Sequence, residues 1–189
     1  MKTSDARTDF TLTNHIFGID PSLRSTGWAV VSQIGALVDF GAIVPGDRRG
    51  VDRWEYIVDN ILIAWAKSVI LPDETPRLAF IENYPMGIGR FFGAGRIFDL
   101  AEIGGVIKYR LWKDLGVRTV PIATQTAKKA ATGSGRATKE QVSETLRKVF
   151  PALTTGRKMD ETDAVAIALA GRNWIRVEDN VKTVWEERR

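Results

Sequence analysis

Three short β-rich stretches, Ile16 to Asp20, Thr26 to Ser32 and Ala36 to Val44, follow one another with only turn segments between them, and then the apolar period changes. Strands this close together have no room for a crossover helix, so they are expected to pair as an antiparallel meander. Trp54, Ile57, Val58, Ile61, Leu62 and Trp65 recur at helical spacing, which predicts an amphipathic helix that stops before Pro72. Arg77 to Ile81 reads as a fourth strand. Ile97, Leu100, Ala101, Gly104, Ile107, Leu111 and Leu115 mark a second helix ending near Gly116, and Arg118 to Ile122 reads as a fifth strand. A short helix from Thr124, one from Thr138 to Val149 and one from Asp160 to about Arg172 follow. The expected fold is α/β: a mixed five-stranded sheet, with a three-stranded antiparallel meander plus two parallel strands and helices on both faces.

At 189 residues, 44% hydrophobic and 26% charged, the chain suits one domain with a substantial core. We expect that domain over residues 15–175, a loose polar tail at 1–14 and a C-terminal extension at 176–189. The absence of cysteine removes disulfides, zinc-thiolate sites and cysteine nucleophiles. His15 is the only histidine, so a serine triad or a histidine-rich metal site would rest on it alone. No apolar run reaches membrane-spanning length, and MKTSDARTDFTLTNH has no signal-peptide core. The protein is expected to be soluble and intracellular, cytoplasmic or nucleoid-associated in a bacterial or viral setting, with an organellar origin left open.

Four carboxylates stand where catalytic acid is expected. Asp20 and Glu82 end or follow apolar strands in HIFGID and RLAFIE, and Asp160 and Asp163 open a helix in KMDETDAVAIALAG. Residues three apart share one helix face, and the small apolar residues beyond Asp163 let that face lie close to a sheet. Paired anions pressed toward a core repel one another and lose hydration, which a cation, a proton or a positive helix start must offset. A hard divalent cation with oxygen ligands answers that need. Two such ions about 4 Å apart can activate water and stabilise the leaving oxygen in phosphodiester hydrolysis, without histidine or cysteine. Between Gly105 and Phe150 ten Lys or Arg stand against three Asp or Glu, a basic surface suited to a polyanion. A solvated helix face explains any one of those lysines equally well, as a turn or a helix cap explains any one of the acids.

Taken together, the motifs resemble the RuvC family of Holliday junction resolvases, from about Phe17 to Gly171. GIDPSLRSTGWAVV is similar to the family's first motif, FIENYP to its second and DETDAVAIALA to its third. In the ribonuclease H-like arrangement this implies, strands one and four lie side by side and parallel, with Asp20 and Glu82 at neighbouring ends. The resemblance makes Asp20, Glu82, Asp160 and Asp163 the catalytic metal ligands, for Mg²⁺ or Mn²⁺. KKAATGSGRATKEQV is similar to the family's basic segment, which puts Lys128 and Lys139 on DNA, with Lys129, Arg136, Arg90 and Arg96 as further DNA-binding candidates. It also implies a homodimer that binds a four-way DNA junction and nicks two opposing strands symmetrically. Ile103, Ile107, Tyr109 and Trp112, on the second helix, are candidates for its dimer contact, with core packing as the alternative for some of them.

One departure concerns the aromatic wedge that the family usually carries three positions beyond the glutamate, where this sequence has Pro85. The loop YPMGIGRFFGAGRIF offers Tyr84, Phe91 and Phe92 as replacements, able to stack on unpaired bases or simply to anchor the loop. Its glycines lack the following Lys-Ser or Lys-Thr of a phosphate loop. A branched-DNA nuclease acting on flaps or forks remains a competing reading. So, more distantly, do an actin-like ATPase lobe, for which no second lobe is present, and an inactive DNA-binding scaffold.

Overall fold

The computed structural model of the protein describes residues 15–68, 78–83, 94–153 and 159–176. The tail at 1–14 and all but the first residue of the expected C-terminal extension lie outside them. Strands β1 (Ile16–Asp20), β2 (Thr26–Val31) and β3 (Leu37–Ile43) form the meander; helix α1 (Gly50–Ser68) leads toward β4 (Leu78–Glu82), then α2 (Ala94–Leu115) and β5 (Arg118–Ile122). Helices α3 (Thr124–Thr132), α4 (Lys139–Val149) and α5 (Met159–Ile175) complete the order. The sheet runs β3-β2-β1-β4-β5. β1 pairs antiparallel with β2 and parallel with β4, and β4 pairs parallel with β5.

The expected fold is therefore present, with element boundaries that shift by a few residues. β4 includes Glu82 as its last residue, because Glu82 pairs in register with Ile122. α2 starts at Ala94 rather than Ile97.

Each sheet face carries its own core, as alternating strand residues require. Phe17, Ile19, Val30, Ala79 and Ile81 face α1 and α2, meeting Ile57, Ile61, Ile103, Ile107 and Leu111. Ile16, Ala29, Val31, Leu78, Phe80 and Val120 face the opposite way, toward α3, α4 and α5. Helix α5 is apolar nearly all round, with Ala164 to Ala168 and Ala170 buried, as befits a helix enclosed between a sheet and other helices. Its approach to the sheet is set by glycines. A Cβ on Gly18 would lie 2.5 Å from the Ala164 carbonyl oxygen and the Ala168 nitrogen, and one on Gly27 would lie 2.0 Å from the Asp160 carbonyl oxygen. Backbone thus rests on backbone, and the first turn of α5 is pinned beside the end of β1.

Two of the residues expected at a partner contact go elsewhere. Ile103 and Ile107 are completely buried between α1 and the sheet, so their side chains are core and not available to a second chain. α2 carries apolar residues on two faces, and the sheet takes the one bearing Ile103 and Ile107. Tyr109 and Trp112 point outward, 53% and 59% exposed. Among the described residues, no helix is long and apolar enough to cross a membrane.

Candidate active site

The site is built where β1 and β4 end side by side. Their register pairs Ile19 with Ile81, so the next residues, Asp20 and Glu82, emerge at the same edge of the sheet. Asp20 is 9% exposed. Its carboxyl is held well above the usual carboxylate range, first by burial, then by the charges of Glu82 and Asp163 and a side-chain hydrogen bond with Glu82, against a smaller opposing pull from Lys139. Asp163 reaches this group from the second turn of α5. Asp160, one turn earlier, shares the same end of the helix, with its backbone carbonyl packed over Gly27. Three elements distant in sequence thus bring acid to one point.

The basic segment closes the other side. Thr138 starts α4 with a reciprocal capping box: its hydroxyl accepts from the Gln141 N–H at 3.2 Å, and its own N–H donates to Gln141 Oε1 at 2.9 Å. That cap makes Lys139 the first residue of the helix, an end where the macrodipole disfavours a cation. Asp163 offsets the mismatch, because Lys139 Nζ donates to Asp163 Oδ2 at 2.8 Å. Burial pulls the Lys139 ammonium down, yet Asp163, Asp20 and Glu82 outweigh it and leave its pKa raised. The cation that the carboxylates face is therefore the chain's own lysine. Among the described residues, no three acidic or histidine side chains already stand together as a ready ligand set. The chemistry of the donors still fits a hard divalent cation, since the charged groups that act on Asp20 are, Lys139 apart, the carboxylates Glu82 and Asp163.

Lys128, Lys129 and Arg136 lie on α3 and on the turn that leads from it to α4. Lys128 is half-buried on α3, and its charge helps to lower the carboxyl of Glu140, behind the larger effects of hydrogen bonds from the Glu140 backbone and the Thr138 side chain. Lys129 and Arg136 are exposed. Between them α3 ends on Gly133, whose φ of 80° suits glycine and whose N–H donates to the Lys129 carbonyl at 2.8 Å. Arg96 lies in the first turn of α2. Arg90, Tyr84, Phe91 and Phe92 fall outside the described residues.

One contact had no counterpart in the sequence reading. Thr124 Oγ1 donates to Glu82 Oε1 at 2.8 Å. The available signal was a threonine two residues after the strand that pairs with the Glu82 strand, but its meaning depends on a register that only pairing sets.

Comparison with known proteins identifies a family. The family model described as crossover junction endodeoxyribonuclease RuvC matches residues 16–171. A RuvC from Rickettsia bellii is 32% identical over 162 residues, covering 81% of this chain and 93% of the relative. One from Anaeromyxobacter sp. (strain K) is 30% identical over 165 residues, covering 82% and 78%. In fold, the chain resembles Thermus thermophilus RuvC, solved in complex with a Holliday junction substrate, with a TM-score of 0.65 at 19% identity over 86% of this chain and 94% of that one. It also resembles the yeast mitochondrial Holliday junction resolvase, with a TM-score of 0.53 at 13% identity over 90% and 81%. A family match that runs from the first strand through the last helix takes in every carboxylate and lysine described above, and it makes this chain a member of the RuvC family of crossover junction endodeoxyribonucleases, which are hydrolytic nucleases.

Proposed function

We propose that the protein resolves four-way DNA junctions by metal-dependent hydrolysis, cutting two opposing strands symmetrically as a homodimer. The convergence of Asp20, Glu82 and Asp163 at one buried edge, with Lys139 against them, carries this reading. Asp20, Glu82, Asp160 and Asp163 are the residues that would hold Mg²⁺ or Mn²⁺, with two ions per site. Bound there, the metal supplies an activated water and neutralises charge on the leaving oxygen. The protein's own part is to gather acids that repel one another and to keep them rigid. Asp20 holds its proton more tightly than an ordinary aspartate, so cation binding releases a proton from this group. Lys128, Lys129, Arg136 and Lys139 supply positive charge along the path of a DNA backbone, and a two-fold dimer would present two equal sites to a near two-fold junction. The junction as substrate is supported by the crossover junction endodeoxyribonuclease relatives and by the DNA bound in the Thermus structure.

The test compares a synthetic four-way junction, a fork and linear duplex, each with Mg²⁺ or EDTA, using wild type and Asp20→Asn. Paired nicks confined to the four-way junction, dependent on metal and lost in the variant, are expected. Equal cutting of the fork would point to a general branched-DNA nuclease, and cutting in EDTA or undiminished cutting by Asp20→Asn would defeat the metal mechanism.

A further inference from the structure

Thr124 is placed to act on the site without belonging to the carboxylate set. It is the first residue of α3, where a threonine hydroxyl would ordinarily bond to nearby backbone. Here the residue before it, Ala123, is the extended N-cap, and no side chain caps the helix. The Thr124 hydroxyl instead reaches across to Glu82 Oε1 at 2.8 Å. Main-chain pairing makes the reach reproducible: Glu82 pairs with Ile122 in register, and the Asn83 N–H donates to the Ile122 carbonyl at 2.8 Å. The strand end that carries Glu82 and the start of α3 are therefore one rigid unit.

Glu82 needs such an anchor. It is partly exposed, its side chain has three rotatable bonds, and the charge on Asp20 that would repel it lies on the adjacent strand. A hydroxyl donating to a carboxylate forms a charge-assisted bond, and it occupies one of about four lone-pair positions, leaving the others for a cation. We propose that Thr124 is a positioning residue that fixes the Glu82 carboxylate for divalent-cation binding, and so sets metal affinity without touching metal or DNA. The inference rests on Glu82 being a ligand, as the proposed function has it. α3 carries a second site element, since Lys128 lies four residues on and shares the helix face with Thr124. One short helix thus carries both the hydroxyl that holds an acid and a lysine on the same helix face.

The experiment measures Mn²⁺ binding to the full-length protein by calorimetry, with wild type, Thr124→Val, Thr124→Ser and Glu82→Gln. Thr124→Val keeps the shape and removes the hydroxyl, so its Kd for Mn²⁺ should rise about tenfold, equivalent to about 1.4 kcal/mol. Thr124→Ser should restore binding to within about twofold of wild type, because the donor is retained. Junction binding in EDTA and the metal-free thermal midpoint should be unchanged in Thr124→Val, which separates positioning from folding. Wild-type Mn²⁺ affinity in Thr124→Val alongside weakened Glu82→Gln, or equal losses in the Val and Ser variants, would overturn the proposal. Wild-type affinity in Glu82→Gln would instead overturn the assignment of Glu82 as a ligand, and Thr124 would lose its role with it.

Discussion

Asp20 is a carboxyl that the fold places at a cost. Burial and the neighbouring charges of Glu82 and Asp163 raise its pKa, so the folded state binds this proton more tightly than the unfolded chain does. The stability gained from that proton is full below the unfolded pKa and is lost as pH rises through the folded value. At neutral pH in the absence of metal, Asp20 therefore works against folding. Each unit of such a shift corresponds to about 1.4 kcal/mol, and about 1 kcal/mol moves the melting point of a chain this size by about 2–4 °C. Asp20→Asn is expected to raise the melting point in EDTA at pH 7 by several degrees, with the gap to wild type closing as the buffer is acidified. A melting scan across pH checks this; a variant less stable than wild type at pH 7 would show that the cluster is not strained. Lys139 relieves part of the same repulsion. Its contact with Asp163 could not be read from a sequence in which the two stand 24 residues apart, whereas the capping box that starts α4 is legible in Thr138-Lys139-Glu140-Gln141.

Helix α5 carries two of the four acids to the sheet, and the closeness of its approach is decided by Gly18 and Gly27. An added Cβ at Gly27 would meet the Asp160 backbone, which is held in the helix and cannot rotate aside as a flexible side chain would. Gly27→Ala should cost about 1–3 kcal/mol or more and should displace the start of α5 from Asp20. Urea denaturation reads the first effect and nuclease activity the second. An alanine variant with unchanged midpoint and activity would mean that the helix has slack there. The small residues of DAVAIALAG foretell a close helix, but the glycines opposite them lie in strands that the helix meets only after the chain has turned back on itself. Propensity is local, and this contact is not.

The exterior of α2 gives the molecule an asymmetric surface. Phe98, Tyr109 and Trp112 are 67%, 53% and 59% exposed. With exposed Ala101 and Gly105, they form a stripe at helical spacing, on the side away from Ile103 and Ile107. Exposed aromatics in one row favour burial against another surface, and a two-fold copy of the same stripe suits the proposed homodimer. Trp112→Glu is expected to shift the protein toward monomer in sedimentation velocity while leaving its circular dichroism unchanged. On a plasmid with an extruded cruciform it should convert paired cutting into single nicking, seen as open-circular rather than linear product. A variant that still sediments as a dimer would place the contact elsewhere.

The residues alone were enough for the order of elements and the mixed sheet, and to single out four acids as candidates, because alternation, helical spacing and apolar runs ending in Asp or Glu are local patterns. The family resemblance was legible for the same reason, with four motifs keeping their order over most of the chain. Folding decided which apolar face of α2 became core and which stayed outside, since both faces satisfy the same period and only the sheet beneath chooses. It also decided that Lys139 turns to Asp163, and that Thr124 holds Glu82 across 42 residues. Those contacts depend on the register of β4 with β5 and on the depth at which α5 settles, quantities set by pairing and packing among segments far apart in the chain.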